Sequence, residues 1–176
     1  MSADTMSLQG KLDNLKKEIQ KMQRDITHGI NKKPHKLVML LAVLDLFDRQ
    51  AINENKIYFN GELVASFSNT FNLIRSKGDW DQPAPPFFHL RTSSFWKHKI
   101  KNGREVEYSK LSTSGGGSKR IEENIDYAYL IDERYMLFSD ADSRQSIREF
   151  LISLLNPLSN FENPAPVNRL TQKREK

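Results

Sequence analysis

The sequence predicts a predominantly helical α+β domain: a compact helical body with a small β-hairpin or sheet, preceded by a heptad-patterned N-terminal helix. Three observations predict it. Leu8, Leu12, Leu15, Ile19, Met22 and Ile26 recur at alternating spacings of four and three, the seam of an amphipathic or coiled-coil helix. Leu37 to Phe47 is apolar nearly all round, as in a helix buried on every side. The β-favouring runs are short and flank Asn102-Gly103, a strong local hairpin signal.

Residues 1–30 make the first expected unit, a helix ended by Gly29 and Asn31. Its seam suits two arrangements. One is a homodimer zipped through residues 8–26; the other is a single helix laid on its own domain, because under three heptads is short for a zipper.

Residues 31–156 make the second unit. Pro34 opens its core helix at a first-turn position where the missing N–H costs nothing, and the helix runs to about Gln50. Ile57-Tyr58-Phe59 reads as a short strand. Asn60 can cap a helix from Gly61 to Arg75 that turns Leu63, Phe67, Phe71 and Ile74 inward. Ser76 to Pro86 is a proline-dense loop. Phe95–Ile100 and Glu105–Tyr108 are the arms of the expected hairpin, and alternation sends one of Phe95 and Trp96 into the core. Ser118 can cap a helix from Lys119 to about Leu130, and Asp132 opens a short helical turn. Ser139 to Asp142 resembles a capping box, ahead of a helix with Ile147, Phe150, Leu151 and Leu154 on one face and Asn156-Pro157 at its end. Residues 157–176, rich in Pro and Asn and then basic, read as a linker or disordered tail.

Composition narrows the function classes. The chain has 176 residues and a net charge of +5, with a mean hydropathy of −0.64. It has no apolar run near the ~20 residues of a membrane span. Its start lacks the basic and apolar regions of a signal peptide. No cysteine is present, which removes disulfides and thiolate metal sites and fits a cytoplasmic location.

The charge is unevenly spread. Between Arg91 and Arg120 eight Lys/Arg face only Glu105 and Glu107, so this stretch carries +6 while all other residues together carry −1. Within it lies Ser112-Thr113-Ser114-Gly115-Gly116-Gly117-Ser118-Lys119-Arg120, which sets hydroxyls, bare amides and two cations at the head of a helix. Positive charge with a close-approaching backbone suits a polyanion. The loop lacks the spacing of a Walker A motif. Lys97, Lys99 and Lys101 share one strand face, a phosphate-facing row or an ordinary wet face. Lys32, Lys33, His35 and Lys36 crowd a helix N-terminus against the macrodipole, as an anion site would arrange them. Arg91 is the best placed by chemistry for a phosphate or a guanine, since its planar fork donates two parallel hydrogen bonds.

Catalytic residues are scarce. The four histidines, 28, 35, 89 and 98, show no metal-ligand spacing. Asp45 or Asp48 with Glu54-Asn55-Lys56 is only a faint echo of a metal-dependent nuclease core. We therefore expect no catalytic residue, cofactor or metal in this chain. The residues alone leave three classes open: a nucleic-acid reader, a nuclease in its own right, and a coiled-coil interaction or scaffold protein with a non-specific basic patch. Salt dependence of binding separates the first from the last.

The order of motifs is recognisable as well. Lys33-Pro34-His35-Lys36-Leu37-Val38-Met39-Leu40-Leu41 heads the core helix, and Pro86-Phe87-Phe88-His89-Leu90-Arg91 precedes Phe95-Trp96. Asp126-Tyr127-Ala128-Tyr129-Leu130 and Arg148-Glu149-Phe150-Leu151 close the pattern. Over residues 31–156 this resembles the sulfur-binding domain of phosphorothioate-DNA-dependent restriction endonucleases. The resemblance implies binding of double-stranded DNA whose backbone carries sulfur in place of a non-bridging oxygen. It also implies an HNH nuclease domain or subunit acting in cis or in trans. By the resemblance, His35, Lys36 and His89 face DNA; the crowded helix start adds Lys33, and Arg91 is added by the chemistry of its fork. The patch adds Lys97, Ser112, Thr113, Ser114, Gly115, Gly116, Gly117, Ser118, Lys119 and Arg120. Some family members wall the sulfur cavity with a Tyr-Pro pair in the loop here occupied by residues 114–119. This chain has none, which leaves Phe88, Leu90 and Gly116 as the candidate wall.

Overall fold

The computed structural model describes residues 6–25, 34–74, 80–112 and 116–155. Its first helix, α1 (Leu8–Asp25), follows the heptad seam. The core helix is α2 (His35–Asp48), buried at every position from Leu37 to Leu44 and at Leu46 and Phe47. α3 (Gly61–Ile74) buries Leu63, Phe67, Phe71 and Ile74 as its periodicity demands. Asn60 caps it, its Oδ1 accepting the Leu63 N–H at 3.0 Å.

The proline-dense stretch departs from expectation. Its last part is a helix, α4 (Ala84–His89), continued by a 3-10 turn at Leu90–Thr92. Prolines in a first turn give up no intrahelical hydrogen bond, so Pro85 and Pro86 start this helix instead of preventing it. β1 (Trp96–Ile100) leads to α5 (Glu105–Ser109), α6 (Ser118–Asn124), β2 (Ile125–Leu130), α7 (Asp132–Ser139) and α8 (Ala141–Leu155). The tail from 157, like Lys33 and the 113–115 part of the glycine loop, lies outside the described residues.

The expected hairpin is not formed. The turn exists, with Arg104 N–H bonded to Lys101 O at 3.0 Å, but only Gly103 has a positive φ, +78°. That is the type II sense; a hairpin-forming I′ turn needs positive φ at both central residues. The chain therefore leaves the sheet, and Glu105–Ser109 becomes α5 in place of a strand.

The partner of β1 is β2, antiparallel, with Trp96 opposite Leu130 and His98 opposite Ala128. We expected 119–130 to be one helix. Instead α6 stops at Asn124, and the alternation in Ile125-Asp126-Tyr127-Ala128-Tyr129-Leu130 is read as a strand. Ser118 is the first residue of α6 and makes no capping bond. The expected strand at Ile57 amounts to one bridge, Ile57 to Ala128. Asn55 completes that edge with its side chain, accepting from Leu130 N–H at 2.9 Å and donating to Leu130 O at 2.6 Å.

Packing puts α2 at the centre, against α3, α4, α7 and α8. α1 lies on α7 and α8. Leu12, Leu15 and Ile19 join the same hydrophobic core as α2, so the expected division near residue 30 is no boundary in the core. The seam's central residues Leu12, Leu15 and Ile19 are buried within the chain. Polar contacts fix α1 in place: Glu18 accepts from Ser94 N–H at 3.2 Å and lies 3.7 Å from Arg134, which also donates to Lys11 O. At the other end Asp48 of α2 accepts from Arg144 at 2.7 Å and from Arg148, joining α2 to α8. Among the described residues no helix is long and apolar enough to cross a membrane.

Candidate nucleic-acid interface

The fold brings Lys36, His89, Arg91 and Thr92 together where α2 begins and α4 ends. Lys36 Nζ is 3.5 Å from Thr92 Oγ1, which itself donates to His89 O at 2.9 Å. Burial lowers the Lys36 ammonium below its usual pKa. His89 is pushed down by burial first and by the positive charge of Lys36 and Arg91 second. Lys36 and Arg91 have no acidic ion-pair partner among the described residues. A like-charged group without counter-ion, partly stripped of water, is costly unless an anion joins it.

The floor of this group is aromatic. The Arg91 guanidinium lies over the Phe88 ring, 4.1 Å from its centroid, and 5.6 Å from that of Tyr108. Phe88 in turn stacks on His98 at 5.6 Å and meets Tyr108 edge-on. His98 links them, with Nδ1 2.8 Å from the Tyr108 hydroxyl and Nε2 3.2 Å from Trp96 Nε1. Nε2 also lies 3.1 Å from Phe87 O; a carbonyl only accepts and an indole N–H only donates, so the tautomer of the ring decides which of the two Nε2 serves. Burial keeps this ring neutral, its pKa lowered to about 4.

The remaining expected residues are divided by the fold. α6 packs on α4 and α5, and Lys119 and Arg120 in its first turn are exposed. Gly116 leads into α6 with φ +74°, and a Cβ there would come within 2.8 Å of Arg120 Cγ, so glycine is needed for both conformation and space. Gly117 also has positive φ. Ser112 and Ser118 are exposed. Lys97 and Lys99 stand opposite Tyr129 and Tyr127, on the sheet face away from His98, so Lys97 is not part of the Arg91 group. His35 belongs to packing: its ring lies 4.9 Å from Phe71 and its Nε2 2.8 Å from Trp80 O.

Two of the three candidate cavity residues are corrected. Phe88 is 1% exposed and Leu90 0%. Both belong to the hydrophobic core, Phe88 directly under Arg91, and neither offers an open rim, because α4 turns Phe88 inward and the 3-10 turn does the same for Leu90. Thr92 and Tyr108 were not expected at the site. Thr92 follows the expected Arg91 by one position, and Tyr108 was hidden by its assignment to a strand.

Nuclease-like pairs are likewise accounted for by structure. Asp45 binds Arg49 at 2.8 Å and Ser66 at 2.8 Å, Glu54 binds Lys56 at 3.3 Å, and Asn55 holds β2. Among the described residues no group of three or more His, Asp or Glu is placed to hold a metal ion. Neither a known protein family nor a curated protein matches this chain.

Proposed function

We propose that this chain binds duplex DNA in the cytoplasm through Lys36, His89, Arg91, Thr92, Lys119 and Arg120, as the recognition part of a restriction system. Its nuclease is another domain or subunit. The observation that carries the reading is the convergence of Lys36 and Arg91, both without acidic partner among the described residues, around a neutral-leaning His89 and the Thr92 hydroxyl. Cations supply phosphate affinity, and Arg91 can also read a base edge.

The preferred backbone carries sulfur in place of one oxygen. Support comes from the hydration of the cations. A guanidinium is weakly hydrated, here more so against Phe88 and Tyr108, and Lys36 is partly desolvated. Such a site gives up little water for a large, polarisable, weakly hydrated anion, whereas an oxygen must be stripped of tightly held water.

The test is fluorescence anisotropy with one duplex, unmodified or bearing a single phosphorothioate of each stereochemistry, across a salt series. Tight binding with a steep salt slope is expected, and Arg91→Ala should lose about 1–3 kcal/mol if it reads a base. Wild-type affinity in both Arg91→Ala and Lys119→Ala refutes the interface. Equal affinity for all duplexes reduces the chain to a general DNA binder.

A further inference from the structure

Of the two tryptophans, Trp96 is fully buried while Trp80 is 74% exposed, the most exposed large apolar side chain among the described residues. Its backbone is nonetheless tied down. Trp80 O lies 2.8 Å from Nε2 of His35, the first residue of α2, and that imidazole is itself packed on Phe71. The next residue, Asp81, accepts from Ser68 Oγ of α3 at 3.1 Å. The fold thus holds the chain at Trp80 from two helices and leaves the indole in water.

An indole left in water forgoes the burial that normally stabilises it, and nothing in the packing of α2 or α3 uses this ring. Its position suggests a use. His35 grips Trp80, and the adjoining Lys36 reaches Thr92 beside His89. The backbone at Trp80 is therefore held by the first residue of α2, whose second residue, Lys36, belongs to the cationic group that has no acidic ion-pair partner among the described residues. Phosphates and base faces alternate along a nucleic acid, and proteins meet them with cations and aromatic rings side by side.

We propose that Trp80 is the base-contacting residue of this interface, its indole lodging against the face of a base next to the phosphate held by Lys36 and Arg91. In a duplex this means prising open one base step, as apolar wedges do. The proposal rests on the DNA-binding reading above and adds to it the group that touches the bases.

The experiment uses the full chain, the duplexes named above and two readouts, anisotropy of labelled DNA and intrinsic tryptophan emission. Wild type should bind with Trp80 emission quenched at the same midpoint as the anisotropy change, and DNA should protect Trp80 from acrylamide. Trp80→Ala, at an exposed position, should keep the wild-type melting temperature, lose the emission change because only Trp96 remains, and bind on the order of tenfold more weakly. DNA binding by wild type with no emission change and no acrylamide protection overturns this proposal alone. So does an emission change accompanied by wild-type affinity in Trp80→Ala, since the ring would then lie near DNA without stacking. Absence of DNA binding by wild type overturns both this proposal and the reading beneath it.

Discussion

Acid should loosen the floor of the site through His98, and the size of the effect follows from its surroundings. The partly buried ring is packed against Phe87 and Phe88, within reach of the Tyr108 hydroxyl and the Trp96 indole. Its pKa in the fold is about 4, against ~6.5 in an unfolded chain. Burial is the main cause, and the nearby Arg91 charge adds to it, whereas a bond to Phe87 O works the other way. Between these two values the unfolded chain holds a proton that the folded one does not. Stability therefore rises with pH across the window: the full value holds above ~6.5 and is lost as pH falls toward ~4. About 2.5 pH units at ~1.4 kcal/mol each makes a full loss of between about 3 and 4 kcal/mol, of which about 3 kcal/mol is gone by pH ~4, where the folded ring is half protonated. His89, lowered in the same direction, adds a smaller loss, so a variant must isolate His98.

His98→Gln cannot titrate and keeps an amide able both to donate and to accept in place of the ring. Urea unfolding of both proteins from pH 7.5 to 4 should show the wild type losing about 3 kcal/mol relative to the variant. The absolute stability of the variant is immaterial, since only the divergence of the two curves reports the proton. Parallel curves, or an NMR titration placing His98 near 6.5, would refute the argument that burial dominates.

Other expectations concern the frame. Leu15, fully buried under α1, should lose about 2–5 kcal/mol on change to alanine, with an unfolding midpoint independent of protein concentration; a concentration-dependent midpoint would instead mean that α1 is shared between copies. Asn55→Ala strips both hydrogen bonds from the Leu130 backbone and should cost about 1–3 kcal/mol in thermal or chemical unfolding. Unchanged stability there would mean that water replaces the amide without loss.

Much of this architecture is local and so was legible in the chain. α2, α3 and α8 follow from apolar periods that only a buried helix can use, and Pro34 and Asn60 mark their starts by rules of the first turn. The concentration of positive charge between Arg91 and Arg120 was likewise plain, because charge needs no fold to be counted. What the tertiary structure decided is which of several locally acceptable choices prevailed. Asn102-Gly103 could turn in either sense, and the type II sense sent Glu105–Ser109 out of the sheet, freeing Tyr108 to reach His98. The α6–β2 stretch suits helix at one end and strand at the other; β1 and Ile57, distant in sequence, supplied the hydrogen-bond partners that ended the helix at Asn124. The heptad seam suited either a second copy or the chain itself, and α7 and α8 offered the nearer apolar surface. The site was settled in the same way. Pattern alone could not tell that Phe88 and Leu90 point inward, that Lys97 lies across the sheet from Arg91, or that Trp80 is held at the start of α2. Each depends on contacts between residues far apart in the chain, and local propensity carries no information about those.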